Sequence, residues 1–179
     1  ELEIEEGTGI SIRKITKQAS EKIAKRGFEI AKQMNKNKKI NVHAIHKANV
    51  LRLTDGIFLK ACRKISKHYP EIEYHEMLVD AATAHMVRKP EQFDVLITTN
   101  MFGDILSDLA SELSGSLGLS GSLNVGDSIP MAQAQHGAAI DIMNKGIANP
   151  ISLIFSVAML LKWLGKQKFQ MEFIKANEL

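Results

Sequence analysis

The sequence predicts an α/β fold. Short runs of strand character near residues 40–45, 71–78 and 93–99 alternate with segments of helical spacing. Residues that cap or break elements, among them Pro70, Asp80 and the polar stretch 35–39, separate the two kinds. With 179 residues, 45% of them apolar and 24% charged, the chain has an ordinary globular composition, which excludes disordered, collagen-like and coiled-coil classes.

In residues 12–34 the apolar positions Ile12, Ile15, Ala19, Ile23, Ile30 and Met34 recur mostly at three- and four-residue steps. This predicts a surface helix with one buried stripe. Residues 40–45 alternate apolar and polar, as a half-buried strand does. Asp55 is placed to open a second helix running to about His68, with Phe58, Ala61, Cys62 and Ile65 inward and Pro70 at its end. Residues 71–78 read as a strand, 81–87 as a short helix with Asp80 at its N-cap, and 93–99 as a buried strand. A helix over 102–113 follows, then a glycine-bearing loop over 114–127. The last helix runs from Pro150 to about Leu164, capped by Asn149 and stopped at Gly165.

Several function classes drop out. The net charge is +3, from 23 basic and 20 acidic residues, too mild for a nucleic-acid footprint. The cluster Lys36, Lys38, Lys39 reads as a solvated loop, since no aromatic or glycine pattern accompanies it. The apolar stretch 151–161, interrupted by Ser152 and Ser156, is shorter than the roughly 18 residues of a membrane span. A single cysteine, Cys62, rules out a disulfide framework and points to a reducing compartment, so the expected location is cytoplasmic. The first six residues hold four glutamates, unlike a signal or transit peptide, and the absence of an initiator Met suits a piece of a longer protein.

The chemistry-bearing residues gather at predicted strand ends. Asp104 and Asp108 stand at i and i+4 of one helix, a turn apart, where two like charges repel unless a cation lies between them. The pair is either a solvated helix face or a hard-cation site for Mg²⁺ or Mn²⁺. Lys47 follows one strand, Asp80 another, and residues 100–104 a third; in parallel sheets ligands collect at these carboxyl ends. A lysine beside a divalent cation is suited to proton transfer. His136 and Gly137 open a loop that leads through Asp141 to Asn149. An acid placed there can accept both hydroxyls of a ribose and repel a 2′-phosphate, although His136 alone is equally an ordinary capping histidine.

Together these segments resemble the isocitrate and isopropylmalate dehydrogenase family. The resemblance rests on VHAIHKANVLRLTDGIF (42–58), LVDAATAHMV (78–87), NMFGDILSDLASELSGSLGL (100–119) and HGAAIDIMNKGIANP (136–150), in the family's order and spacing. It implies an α/β fold with residues 1–125 mostly in a small dimerisation domain and 126–179 in part of the large cofactor-binding domain. It implies oxidative decarboxylation of a 2-hydroxy-3-carboxy acid, hydride passing to NAD, with Mg²⁺ or Mn²⁺ as Lewis acid. Under it Asp104, Asp108 and, across the interface of a homodimer with a shared active site, Asp80 are metal ligands, and Lys47 and Asp80 are catalytic. The resemblance also implies that Asn49 touches substrate and nicotinamide and that His136, Gly137, Asp141 and Asn149 form the adenosine pocket. HKAN (46–49) favours isocitrate or homoisocitrate over isopropylmalate.

The loop departs from the family's HG[ST]APDIAGK at positions 138, 140, 143 and 144, which implies a lost hydrogen bond and a less rigid loop. By the same resemblance these 179 residues correspond to about half a family subunit, and the first cofactor loop, the substrate-carboxylate arginines and the catalytic tyrosine are expected in the half that precedes them. The chain is therefore expected to be inactive alone. The alternative is a non-catalytic regulatory or assembly subunit, or a degenerate homologue.

Overall fold

The computed structural model describes residues 2–34 and 38–165, and the chain forms two compact units, Glu1–Ser107 and Asp108–Leu179. The first unit begins with an antiparallel hairpin, β1 (Leu2–Glu5) and β2 (Thr8–Ile10), which turns through Gly7 at φ 81°. Helix α1 (Lys17–Gln33) follows, opened by Thr16, whose hydroxyl accepts from the Ala19 N–H at 3.2 Å. Next come β3 (Asn41–His46), α2 (Arg52–Ser66), β4 (Glu73–Leu78), α3 (Val79–Arg88), β5 (Val95–Ile97) and α4 (Asn100–Leu113). The three strands form a parallel sheet in the order β4-β3-β5. The expected α/β class and the strand–helix alternation over residues 40–113 hold.

Details differ from the expectation. The central strand is buried along Val42, His43, Ala44 and Ile45, not half-buried, because it has a strand on either side and helices packed against it. Val42 and Ala44 join the core with Phe28 of α1 and Phe58, Leu59 and Cys62 of α2. His43 stacks on His75, its register partner on β4, and meets Phe93 edge-on, both at 4.7 Å between ring centres.

The buried stripe of α1 is also rotated from the expected one. It consists of Ser20, Ala24, Gly27, Phe28 and Ala31, while Ile23 and Ile30 are exposed; Ile12 and Ile15 precede the helix, and Ile15 and Met34 pack against the core as expected. Close approach decides the face: only small residues let α1 lie against β5, and Phe28 fills the space beside Tyr69 and Tyr74. Helix α2 starts at Arg52 rather than Asp55, and Asp55 is a fully buried residue inside it. Asp80 lies within the first turn of α3 and is not its N-cap. On α4, Phe102, Leu106 and Ser111 are buried, while Asp104, Ile105 and Asp108 are exposed. Lys38 pairs with Asp94 and Lys39 with Glu73, whereas Lys36 lies outside the described residues.

The second unit contains an antiparallel hairpin, β6 (Gly121–Val125) and β7 (Pro130–Ala134), against helix α5 (Ile151–Leu164). The expected loop over 114–127 thus holds a strand. Two serines stitch the helix to the hairpin. Ser156 Oγ accepts from Ser122 N–H at 2.9 Å and donates to Gln133 O at 2.7 Å. Ser152 Oγ accepts from Gln135 N–H at 3.1 Å and donates to Ser120 O. Both serines are wholly buried. Gly121 is needed here, since a β-carbon would fall 3.0–3.2 Å from Met159 Sδ and Phe155.

Candidate active site

The sheet order places the carboxyl end of β3 between those of β4 and β5. Lys47 follows β3, Asp80 comes just after β4, and Asn100 opens α4 just after β5. The topology thus gathers three separate stretches of sequence at one edge of the first unit, where parallel sheets collect ligands. Lys47 Nζ stands 2.9 Å from Asp80 Oδ1. The lysine is partly covered and Asp80 is exposed. The hydrogen bond from Lys47, with help from backbone N–H groups of the first turn of α3, holds the Asp80 carboxyl below the usual carboxylate range.

The Lys47 main chain is held from both sides. Its N–H donates to Asp55 Oδ2 at 2.6 Å, and its carbonyl accepts from Val50 N–H at 2.9 Å and Leu51 N–H at 2.8 Å. Asp55 Oδ1 accepts from Arg13 Nη1 at 2.6 Å. The same guanidinium donates through Nη2 to Thr99 Oγ1 at 2.8 Å and lies over the Phe102 ring. Sequence reasoning missed this Arg13–Asp55 arrangement. One signal was present: Asp55 stands three and four residues before the inward Phe58 and Leu59, on the apolar face of its helix, where an acid requires a partner.

His46 Nδ1 accepts from the Ala48 N–H at 3.0 Å, shaping the turn that carries the exposed Asn49. Burial lowers the His46 pKa. Asp104 is exposed on α4. Asp108 is exposed one turn further along the helix and accepts from Gln135 Nε2 at 3.3 Å. Among the described residues no three His, Cys, Asp or Glu side chains converge in one chain to hold a metal ion. The side chains expected to be metal donors, Asp80, Asp104 and Asp108, offer only carboxylate oxygens, a chemistry that suits a hard divalent cation and not a soft one.

In the second unit His136, Gly137, Asp141 and Asn149 share one exposed loop between β7 and α5. His136 Nδ1 lies 2.9 Å from Gly137 O, and Asp141 sits in a short 3₁₀ turn, Ile140–Ile142. Asn149 Oδ1 accepts from Ile151 N–H at 3.0 Å, so it caps α5 as expected, from one position before the Pro150 N-cap. Ala139, Asn144 and Gly146 adopt left-handed φ angles of 46°, 62° and 66°. Asn144 stands where the resembled loop has glycine, and asparagine tolerates that conformation better than other non-glycine residues.

Comparison with known proteins gives a consistent answer. The sequence profile described as isocitrate/isopropylmalate dehydrogenase matches residues 1–177. The chain is 50% identical over 155 residues to a 3-isopropylmalate dehydrogenase of Archaeoglobus fulgidus, a match spanning 87% of this chain and 47% of that protein. It is 49% identical over 165 residues to a homoisocitrate dehydrogenase of Methanocaldococcus jannaschii, spanning 92% and 46%. The crystal structure of an isocitrate dehydrogenase from Methylococcus capsulatus superposes with a TM-score of 0.81 at 46% identity, covering 87% of this chain and 45% of that one. The chain spans about half the length of the curated relatives it matches.

Proposed function

This chain belongs to the isocitrate/isopropylmalate dehydrogenase family, and from that premise we propose that it forms part of an NAD-linked dehydrogenase that oxidises and decarboxylates a 2-hydroxy-3-carboxy acid. The observation that carries the proposal is the Lys47–Asp80 pair at the carboxyl ends of adjacent parallel strands. Lys47 Nζ holds or delivers the proton exchanged with the substrate hydroxyl or the enolate carbon, and Asp80 orients it. Asp104 and Asp108 of one copy, with Asp80 of a second copy, would hold Mg²⁺ or Mn²⁺. When bound, such an ion supplies Lewis-acid stabilisation of the hydroxyl oxygen and of developing enolate charge.

Asn49, two residues after Lys47 and exposed, would meet the substrate and the nicotinamide end. His136, Gly137, Asp141 and Asn149 would line the adenosine end, with the Asp141 carboxylate accepting ribose hydroxyls and repelling a 2′-phosphate. The exposed Met101 and Ile105 of α4 and Val87 of α3 support a homodimer with a shared active site.

The relatives' names divide among isopropylmalate, homoisocitrate and isocitrate at similar identity. The HKAN sequence at 46–49 supports isocitrate as the first substrate to test. The second reading, a non-catalytic subunit, draws on the altered 138–144 loop; the left-handed Asn144 supports retention of the loop path and weighs against it. The decisive assay presents the intact gene product with isocitrate, homoisocitrate, isopropylmalate and tartrate in Mg²⁺. Expected is cofactor reduction with CO₂ release, and at least about tenfold preference for NAD over NADP from the Asp141 charge. No turnover of any of the four would favour the non-catalytic reading.

A further inference from the structure

Asp55 is the most deeply buried carboxylate of the first unit that the proposed chemistry leaves without a role. Its side chain is fully covered, and both oxygens are occupied: Oδ1 by Arg13 Nη1 and Oδ2 by the Lys47 N–H, each at 2.6 Å. The second bond answers a local need. Strand β3 ends at His46, so the Lys47 N–H has left the ladder to β4 and β5 and requires another acceptor. A charged acceptor makes that bond short and strongly directional. Arg13 supplies the counter-charge that a buried carboxylate requires.

The other arm of Arg13 goes elsewhere. Nη2 donates to Thr99 Oγ1 at 2.8 Å, and the Thr99 carbonyl accepts from Gly103 N–H at 2.9 Å in the first turn of α4, the helix that carries Asp104. One planar guanidinium therefore ties the end of β3 to the end of β5. Lysine, a single point donor on a flexible stem, does not reproduce that fork. A buried ion pair is a weak way to add stability compared with apolar packing. Here its bonds terminate on the main chain of the residue that carries the functional ammonium.

We propose that Arg13 and Asp55 are positioning residues, holding the Lys47 backbone and the start of α4 in one register so that the Lys47 ammonium is presented correctly for proton transfer. The inference rests on the reading of Lys47 as the proton-transfer group, and its test has one arm independent of that reading.

The independent arm is amide hydrogen exchange in the 179-residue chain carrying Asp55→Asn or Arg13→Lys. Expected is exchange at the Lys47 amide at least about tenfold faster than in wild type, with the Val42–Ile45 amides within about twofold. The second arm is kinetic, in the intact gene product. Asp55→Asn should lower kcat at least about tenfold with KM for the hydroxy acid within about twofold, and Arg13→Lys should fall between it and wild type.

Unchanged Lys47 exchange, or acceleration only in step with the rest of β3, overturns the proposal. So does faster Lys47 exchange with unchanged kcat. If Asp55→Asn fails to fold, Arg13→Lys carries both measurements. If the wild-type gene product turns over no hydroxy acid, the functional reading fails, and the exchange arm alone decides whether the pair positions Lys47.

Discussion

Gly27 of α1 lies against Ile97 of β5 so closely that a β-carbon on Gly27 would stand 2.5 Å from both Cγ1 and Cδ1 of Ile97. Ile97 is itself buried at the sheet edge of the core, so it has little room to yield. This contact sets which face of α1 is inward and leaves Ile23 and Ile30 outside.

Gly27→Ala should therefore destabilise the chain by about 1–3 kcal/mol, although alanine is the better helix former by roughly 1 kcal/mol. Combining it with Ile97→Ala should recover part of that loss, because the deleted methyl groups are those in the way. Urea midpoints for the two single variants and the double variant measure the coupling. Strictly additive losses would mean that Gly27 and Ile97 do not press on each other.

Ser156→Ala should cost about 1–3 kcal/mol, since it leaves the Ser122 N–H and the Gln133 carbonyl without the hydroxyl that joins them. The loss should appear in unfolding of the second unit, followed by amide exchange in residues 121–134. An unchanged exchange profile there would show that the hairpin does not depend on the helix serine.

Acid should weaken the fold through His43. Burial, reinforced by His75, lowers its pKa to about 4 from an ordinary 6.5, while the Asp94 carboxylate opposes the shift. Nδ1 is buried without a hydrogen-bond partner among the described residues. The unfolded chain binds the proton below about pH 6.5 and the folded chain only below about 4. Stability therefore falls as pH drops through that window and levels off beneath it. The upper bound is about 3 kcal/mol. His43→Phe, which keeps an aromatic ring against His75 and Phe93, should flatten this part of the pH dependence. Parallel denaturation curves for the two proteins between pH 7 and pH 4 would remove the assignment.

Mn²⁺ should broaden NMR signals around Asp104 and Asp108 at about millimolar concentration, the range of open carboxylate sites. Asp108→Asn should weaken the effect at unchanged fold, because the side chain is exposed and accepts from the amide of Gln135 at the surface. Equal broadening in wild type and variant would return the two aspartates to the solvated-face reading.

Much of the first unit was legible in the sequence. The alternation in β3, the apolar run of β5 and the spacing of Phe58, Ala61 and Cys62 on α2 are local patterns, and local periodicity specifies element type. Lys47, Asp80 and Asp104 were legible as candidates because each follows a recognisable strand. Strand β6 was not, since Gly121, Ser122 and Asn124 carry little strand signal and the hairpin is held by serines from α5. Those same serines read, in sequence, as interruptions of an apolar run.

By itself the sequence determined the α/β class, the family and the set of residues at the strand ends. The tertiary structure decided which of them meet: Lys47 with Asp80, and Asp55 with both Arg13 and the Lys47 amide. It also decided which stripe of α1 is buried. The reason is physical. Periodicity along the chain records whether a residue prefers water, whereas the partner of a buried charge or the neighbour of a glycine is chosen by strand order and close approach, between segments far apart in sequence.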